Sequence, residues 1–341
     1  MRTDFYERQY SYGKCRFMQQ HLSIRGKGSL TSNFVRCSMV LFLFLANFVG
    51  AEDWSYKGRQ GPSHWQGVCN KGYQQSPVNI TDIKHFDQSI LDVALIHLEP
   101  THFHADNSHN IVHLKADEGS DLRYEGRTYE LSQVHWHTPS EHKVRGKAFG
   151  MEMHWVFLPR KAKREVPGGD ERYEAVVIAV FMEVTEDSQG ISVFDTVLKN
   201  ISLTDKETDI ESVKIDLKKF LPSRIFTGWS IVIPNRKINQ KIEYWQLGYY
   251  AYDGSLTTPP CTEKVRWLLL PRLVPITQEE HALYVQYGGA HSARPVQPLY
   301  ERAIGDALPL AGGSSGRFSP PEEKGSKQER FRDRNPAPVQ H

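Results

Sequence analysis

Gln133-Val134-His135-Trp136-His137, followed after a turn-containing interval by Met151-Glu152-Met153-His154-Trp155-Val156, alternates polar and apolar side chains in the manner of half-buried β-strands. Residues two apart on an extended strand point to the same side, so His135 and His137 converge. A second strand laid beside the first brings His154 to the same place. Three neutral imidazoles with an open fourth position are the donor set of a catalytic zinc site. Spacing alone does not decide the matter, because His102-Phe103-His104 has the same interval. That pair sits in a turn-rich segment, residues 101–109, of weak strand character, and reads as structural or surface histidines. The first pair has better neighbours. Gln133 and Glu152 each stand two residues before a candidate ligand, where they can accept its second ring N–H and fix the tautomer. On pattern alone, a three-histidine metal site competes with core or surface histidines.

Outward from these strands, from Trp54 to about Ile304, turn residues punctuate short segments rich in Val, Ile, Tyr and Trp, without a low-complexity break or an internal repeat. This predicts one β-rich domain over residues 52–304. Strands are expected at Ile111–Lys115, Arg127–His137, Gly150–Leu158, Ala175–Val184, Ser230–Ile233 and Val265–Leu270. Short helices are expected at Ser192–Lys199, Val213–Phe220 and Gln278–Gln286. Pro159–Arg172 and Asn235–Lys241 read as solvated loops. Residues 305–341, rich in Gly, Ser, Pro and mixed charge from Gly312 on, read as a disordered tail.

The chain has 42 Lys and Arg against 40 Asp and Glu, a formal charge of +2. Residues 1–51 hold seven of the basic and two of the acidic side chains, leaving 35 and 38 for the body. With no basic stripe and no acidic block, the body lacks the electrostatic footprint of a nucleic-acid binder, and a small or neutral substrate fits better. The apolar run Met39–Gly50 is too short to span a bilayer, which needs about 20 residues. It follows Arg25, Lys27 and Arg36 and ends in Val49-Gly50-Ala51, the pattern of a signal peptide cut after Ala51. A secreted, extracellular protein with no membrane span is expected. The polar C-terminal end argues against a lipid anchor. Cys15 and Cys37 fall in the leader, so Cys69 and Cys261 are left either to form one bridge or to remain buried thiols. Asn79-Ile80-Thr81 and Asn200-Ile201-Ser202 have the form of glycosylation sequons.

Further motifs accompany the histidines: Trp54-Ser55-Tyr56, Gly61-Pro62-Ser63-His64-Trp65, Gln75-Ser76-Pro77-Val78-Asn79-Ile80 and Ser140-Glu141-His142. Later come Gly254-Ser255-Leu256-Thr257-Thr258-Pro259-Pro260-Cys261 and Arg294-Pro295-Val296-Gln297-Pro298-Leu299. In this order and spacing the chain resembles the α-carbonic anhydrases over Trp54 to Ile304.

The resemblance implies that family's architecture: a single α/β (α+β) domain on a large, mostly antiparallel twisted β-sheet with short surface helices. It implies zinc on His135, His137 and His154, lowering the pKa of water so that hydroxide attacks carbon dioxide and yields bicarbonate. Thr257 resembles the hydroxyl that orients the attacking oxygen while donating to Glu141. Val156, Val177, Leu256, Thr258, Val265 and Trp267 match the family's substrate pocket. His109 resembles the proton shuttle, a task suited to an imidazole titrating near neutrality. Tyr56 and Asn107 resemble parts of its water network, and Cys69 with Cys261 the bridge of secreted members.

This sequence also departs from the family. Trp136 stands between the ligands where Phe is usual, and Thr138-Pro139 follows them where many animal members have Trp-Gly. Val112 occupies a position near the shuttle that is often polar, and Ser292 replaces an Asn whose backbone carbonyl supports a ligand. The segment between Phe220 and Tyr249 is longer.

Overall fold

The alternation at the histidine strands is realised as an antiparallel pair, Arg127–His137 against Met151–Pro159. The computed structural model describes residues 54–85, 93–109, 111–160, 172–186, 188–200, 208–221, 226–235 and 240–307. The expected leader, the tail from 308 on, and 161–171 of the expected Pro159–Arg172 loop lie outside the described residues. The described residues belong to one unit beginning at Trp54.

Among the described residues, fifteen strands form one large mixed sheet. Its main path runs Phe226–Asn235, Gln240–Leu247, Leu95–His97, Asp121–Tyr124, Arg127–His137, Met151–Pro159, Ala175–Val184, Glu263–Leu269, Tyr249–Ser255, Gly305–Ala307 and Lys84–His85. Most neighbours are antiparallel. Ala175–Val184 pairs in parallel with Glu263–Leu269 and Val274–Ile276, as does Gly305–Ala307 with Lys84–His85.

A shift of register between Leu131 and Gln133 decides which side chains face the site. Before it, Tyr129 and Leu131 point into the main core; after it, Val134 and Trp136 do. The extra residue, Ser132, thereby turns Gln133, His135 and His137 to the opposite face, the re-aiming that a β-bulge performs. On the next strands Met151, Met153, Trp155 and Phe157, then Val176, Ile178, Val180 and Met182, fill the same main core. Val156, Val177 and Ala179 instead join a second cluster with Leu256, Val265 and Trp267. Each aliphatic side chain fully buried in either cluster contributes about 1.5–3 kcal/mol.

The helices Ser192–Asn200 and Gln278–Tyr284 cover the main core through Phe194, Val197, Leu198 and Tyr284. Thr277 and Glu280 form a reciprocal capping box on the second helix.

Three expectations are corrected. Thr101–Ser108 is a strand rather than a turn-rich segment, paired with Ile111–Ala116 and with Thr208–Ile215. The helix expected at Val213–Phe220 is replaced by that same Thr208–Ile215 strand and a 3-10 turn, Leu217–Phe220, capped by the Asp216 side chain on Lys218 N. The β-branched residues of Thr208–Ile215 suit a pleated surface, and Thr101–Ser108, already paired with Ile111–Ala116, supplies its ladder. The domain also runs past the boundary expected at residue 304, because Gly305–Ala307 pairs with Tyr249–Ser255 inside the sheet.

Candidate metal centre

Register places His135 directly opposite His154, and His137 opposite Glu152. The ring centroids of His135, His137 and His154 lie 4.6–5.0 Å apart, and all three rings are buried. One nitrogen from each lies within 4.8 Å of the other two. His154 Nδ1 and His135 Nε2 are 3.2 Å apart, close to the roughly 3.3 Å between two nitrogens of a tetrahedral zinc ion with ordinary bond lengths. The outer nitrogens fix two tautomers. His137 Nδ1 donates to the Ser292 carbonyl at 2.6 Å, and His154 Nε2 donates to Glu152 Oε1 at 2.7 Å. Their inner nitrogens therefore carry lone pairs. His137 Nε2 is buried with no hydrogen-bond partner among the described residues. Inward-facing acceptors held by outer donors fit a zinc ion.

Burial keeps these rings in the neutral form that binds metal. Desolvation holds His135 well below the usual histidine range, with His113 and the other site histidines adding to the effect. It lowers His137 to about 4 and also lowers His154, in each case against the pull of Glu152. Desolvation would raise Glu152, yet His142 and His154 hold its carboxyl below the ordinary range. His142 grips both Glu152 oxygens, Nδ1 at 2.6 Å and the main-chain N at 2.8 Å. His142 Nε2 lies 2.6 Å from the Tyr252 hydroxyl, which donates to Ser76 Oγ at 2.8 Å.

Glu141 is buried beside this group, and desolvation pushes its carboxyl up to about 7, while a hydrogen bond from the Thr257 side chain favours the charged form. Its Oε1 accepts from Arg294 N at 2.8 Å, and its Oε2 lies 3.5 Å from His137 Nε2. The Arg294 guanidinium donates to the carbonyls of Ser76 and Cys69 at 2.7 and 2.6 Å. Cys69 is bridged to Cys261, whose N–H donates to Thr258 O at 2.8 Å in the Thr257 loop.

The apolar residues singled out from the sequence come together. Val156, Val177, Leu256, Val265 and Trp267 share one buried cluster, and the Trp267 ring lies 4.8 Å from His154. On the other side Tyr56 packs edge-on to His137 at 6.5 Å. His109, in the left-handed backbone region, lies flat on Trp54 with centroids 4.2 Å apart. Asn107 Nδ2 donates to the Tyr287 carbonyl at 2.6 Å. The control histidines stay apart: neither His102 nor His104 belongs to a converging group among the described residues, and His104 faces Asp117 at 3.5 Å. Asn79 Oδ1 accepts from Gly146 N at 2.8 Å, and Asn200 ends its helix.

Two positions differ from expectation. The Gln133 carbonyl faces His113 Nδ1 at 2.8 Å rather than His135, whose Nδ1 has no partner among the described residues. Val112 is fully buried in the main core, because pairing of His113 with His135 turns His113, not Val112, toward the ligands. Sequence reasoning also assigned no role to Trp54, His113, His142, Tyr252 or Arg294. His142 adjoins Glu141 in a quoted motif, but its partner Tyr252 is 110 residues away, beyond any spacing rule.

A sequence profile described as "Eukaryotic-type carbonic anhydrase" matches residues 60–307. A carbonic anhydrase of Nostoc sp. is 30% identical over 302 residues, 86% of this chain and 98% of that protein. One from Neisseria gonorrhoeae is 30% identical over 281 residues, 79% and 96% of the two chains. The solved α-carbonic anhydrase of Thermovibrio ammonificans, in complex with the inhibitor sulfanilamide, is 25% identical with a TM-score of 0.58, covering 74% of this chain and 98% of that one.

Proposed function

The chain belongs to the eukaryotic-type carbonic anhydrase family, and from that membership we propose that it catalyses the reversible hydration of carbon dioxide to bicarbonate, with zinc held by His135, His137 and His154. The observation that carries this reading is the convergence of three buried imidazole nitrogens, with outer partners on His137 and His154 that leave their lone pairs facing inward. Zinc bound there would supply Lewis acidity that makes water acidic near neutral pH.

The residues around it divide the remaining work. Thr257, donating to Glu141, has its own oxygen free to accept a proton from the attacking group, which fixes the direction of attack. Arg294 N and the buried setting hold Glu141 in place as the acceptor. Val156, Val177, Leu256, Val265 and Trp267 offer an uncharged, apolar substrate a wall without competing donors, and Thr258 borders it. His109 passes protons to solvent, with Tyr56 and Asn107 ordering the path.

The domain spans residues 52–307, follows a leader removed after Ala51, and works outside the cell, as its disulfide and its sequons at Asn79 and Asn200 suggest. No described helix is long and apolar enough to cross a membrane. Stopped-flow hydration of carbon dioxide by the purified protein, with and without a chelator, tests the activity; absence of a zinc-dependent rate refutes it. N-terminal sequencing and deglycosylation of secreted material test the rest.

A further inference from the structure

A fourth histidine stands beside the three ligands. Antiparallel pairing of Ile111–Ala116 with Arg127–His137 sets His113 directly opposite His135 and leaves Gln133 diagonal to it on the same face. The His113 and His135 rings are 5.0 Å apart, and His113, Gln133 and His135 are all buried, at 9, 5 and 8 % exposure. His113 Nδ1 is 2.8 Å from Gln133 Oε1. A carbonyl oxygen only accepts, so His113 Nδ1 is the donor.

The amide of Gln133 can present either of two nearly isosteric ends, with opposite consequences. If its oxygen faces His135, it accepts a proton from Nδ1 and leaves the Nε2 lone pair for the metal. If its NH2 faces His135, it donates to Nδ1 and selects the tautomer with Nε2–H, which cannot ligate. His135 Nδ1 is buried and unpartnered among the described residues, so nothing else on His135 makes this choice. Gln133 Oε1 has two lone pairs, and with one taken by His113 the other remains for His135. A buried N–H left without an acceptor is unfavourable, which favours a small rotation of the amide to serve both rings.

We propose that His113 is a positioning residue for the metal centre: its Nδ1–H fixes the Gln133 amide with the oxygen, rather than the NH2, on the side of the His113 and His135 rings, and thereby sets the His135 tautomer that binds zinc. The inference rests on the zinc assignment of the preceding section.

The test is equilibrium competition for zinc against a chromophoric chelator, using the full chain and its variants at one pH. Loss of a direct outer partner of a metal ligand weakens affinity by about 10–100-fold, the effect expected for Gln133→Leu. His113 acts through Gln133, so His113→Leu should weaken zinc by roughly 3–10-fold. His113→Asn, similar in size to Leu but able to donate, should stay near wild type. The double variant His113→Leu/Gln133→Leu should bind no more weakly than Gln133→Leu alone. Unfolding midpoints of the metal-free proteins, expected to match, separate positioning from loss of fold. His113→Phe, which keeps a ring and lacks the donor, replaces the Leu variant if that does not fold. Unchanged affinity in His113→Leu, an equal loss in His113→Asn, or losses that multiply in the double variant would each overturn the proposal. Zinc binding by a wild type that does not hydrate carbon dioxide would refute the proposed activity and leave the positioning argument standing.

Discussion

Replacing Cys69 and Cys261 together by alanine should cost far more stability than activity. The bridge joins residues separated by 192 positions, and in the chain-entropy account a loop of that length restrains the unfolded chain by about 5 kcal/mol at 25 °C. Both cysteines are buried in a small cluster with Trp65, so losing two sulfur atoms adds a modest packing penalty. For a domain of this size the sum corresponds to a fall in Tm of roughly 10–20 °C. The Thr257 loop has other supports: Cys261 N donates to Thr258 O, Leu256 N to Thr262 O, and Gln75 Nε2 to Cys261 O at 3.1 Å. Those bonds survive the substitution. At temperatures well below the new midpoint kcat should therefore stay within a few-fold of wild type. Urea unfolding followed by tryptophan fluorescence, with and without reductant, measures the first effect, and stopped-flow hydration the second. Reductant should reproduce most of the loss in the wild type and none in the double variant. An unchanged midpoint refutes the entropic argument; a stable but inactive variant refutes the assignment of loop geometry to the hydrogen bonds.

Three further outcomes are expected. His109→Ala should lower the maximal hydration rate in weak buffer by about 10-fold or more and regain it when imidazole is added; an unaltered rate removes the shuttle. Thr257→Val should cut kcat/KM by roughly 100-fold through lost orientation while zinc affinity holds, and a parallel loss of zinc would show that Thr257 acts on the metal site instead. Asp121 is 5 % exposed, and desolvation raises its carboxyl even though the Tyr244 hydroxyl donates to it at 3.0 Å. A raised folded value means that its contribution to stability is full below the unfolded value of about 3.9 and is lost as pH climbs through the folded one. Asp121→Asn does not titrate, so it should gain on the wild type between about pH 3.5 and 7. Urea midpoints at both ends decide it, and a constant gap contradicts the sign.

The metal centre was legible because its chemistry is local. His135 and His137 share a strand face by period alone, and Glu152 reaches His154 across the same two-residue step. The limits of the sequence appear where geometry depends on pairing between distant strands. Thr101–Ser108 finds its ladder on Ile111–Ala116, and Thr208–Ile215 then finds its own on the far edge of Thr101–Ser108. No single-segment pattern contains that information. The same holds for the switch of face at Ser132. Without the bulge, Tyr129 and Leu131 would share a side with Gln133 and His135, and the core and the ligands would compete for one face.

His113 shows the cost of lacking register most directly. By composition, Val112 and His113 are neighbours on one short strand, and either could face the site. A one-residue slip exchanges every inward and outward side chain. Pairing of His113 with His135 buries Val112 in the main core, so the apolar residue at an often polar position near the shuttle is a packing residue. It also brings a donor to Gln133, the group expected to serve His135 alone. If the register is as described, Val112→Gln should destabilise the fold by burying an amide without partners, at about 1–3 kcal/mol or more, and leave proton transfer unimproved. If Val112 instead lined the water path, the same substitution would be nearly neutral for stability and would raise the rate in weak buffer. The two readings differ in both observables, a stability loss without a rate gain against a rate gain without a stability loss, so unfolding and hydration measurements on that one variant separate them.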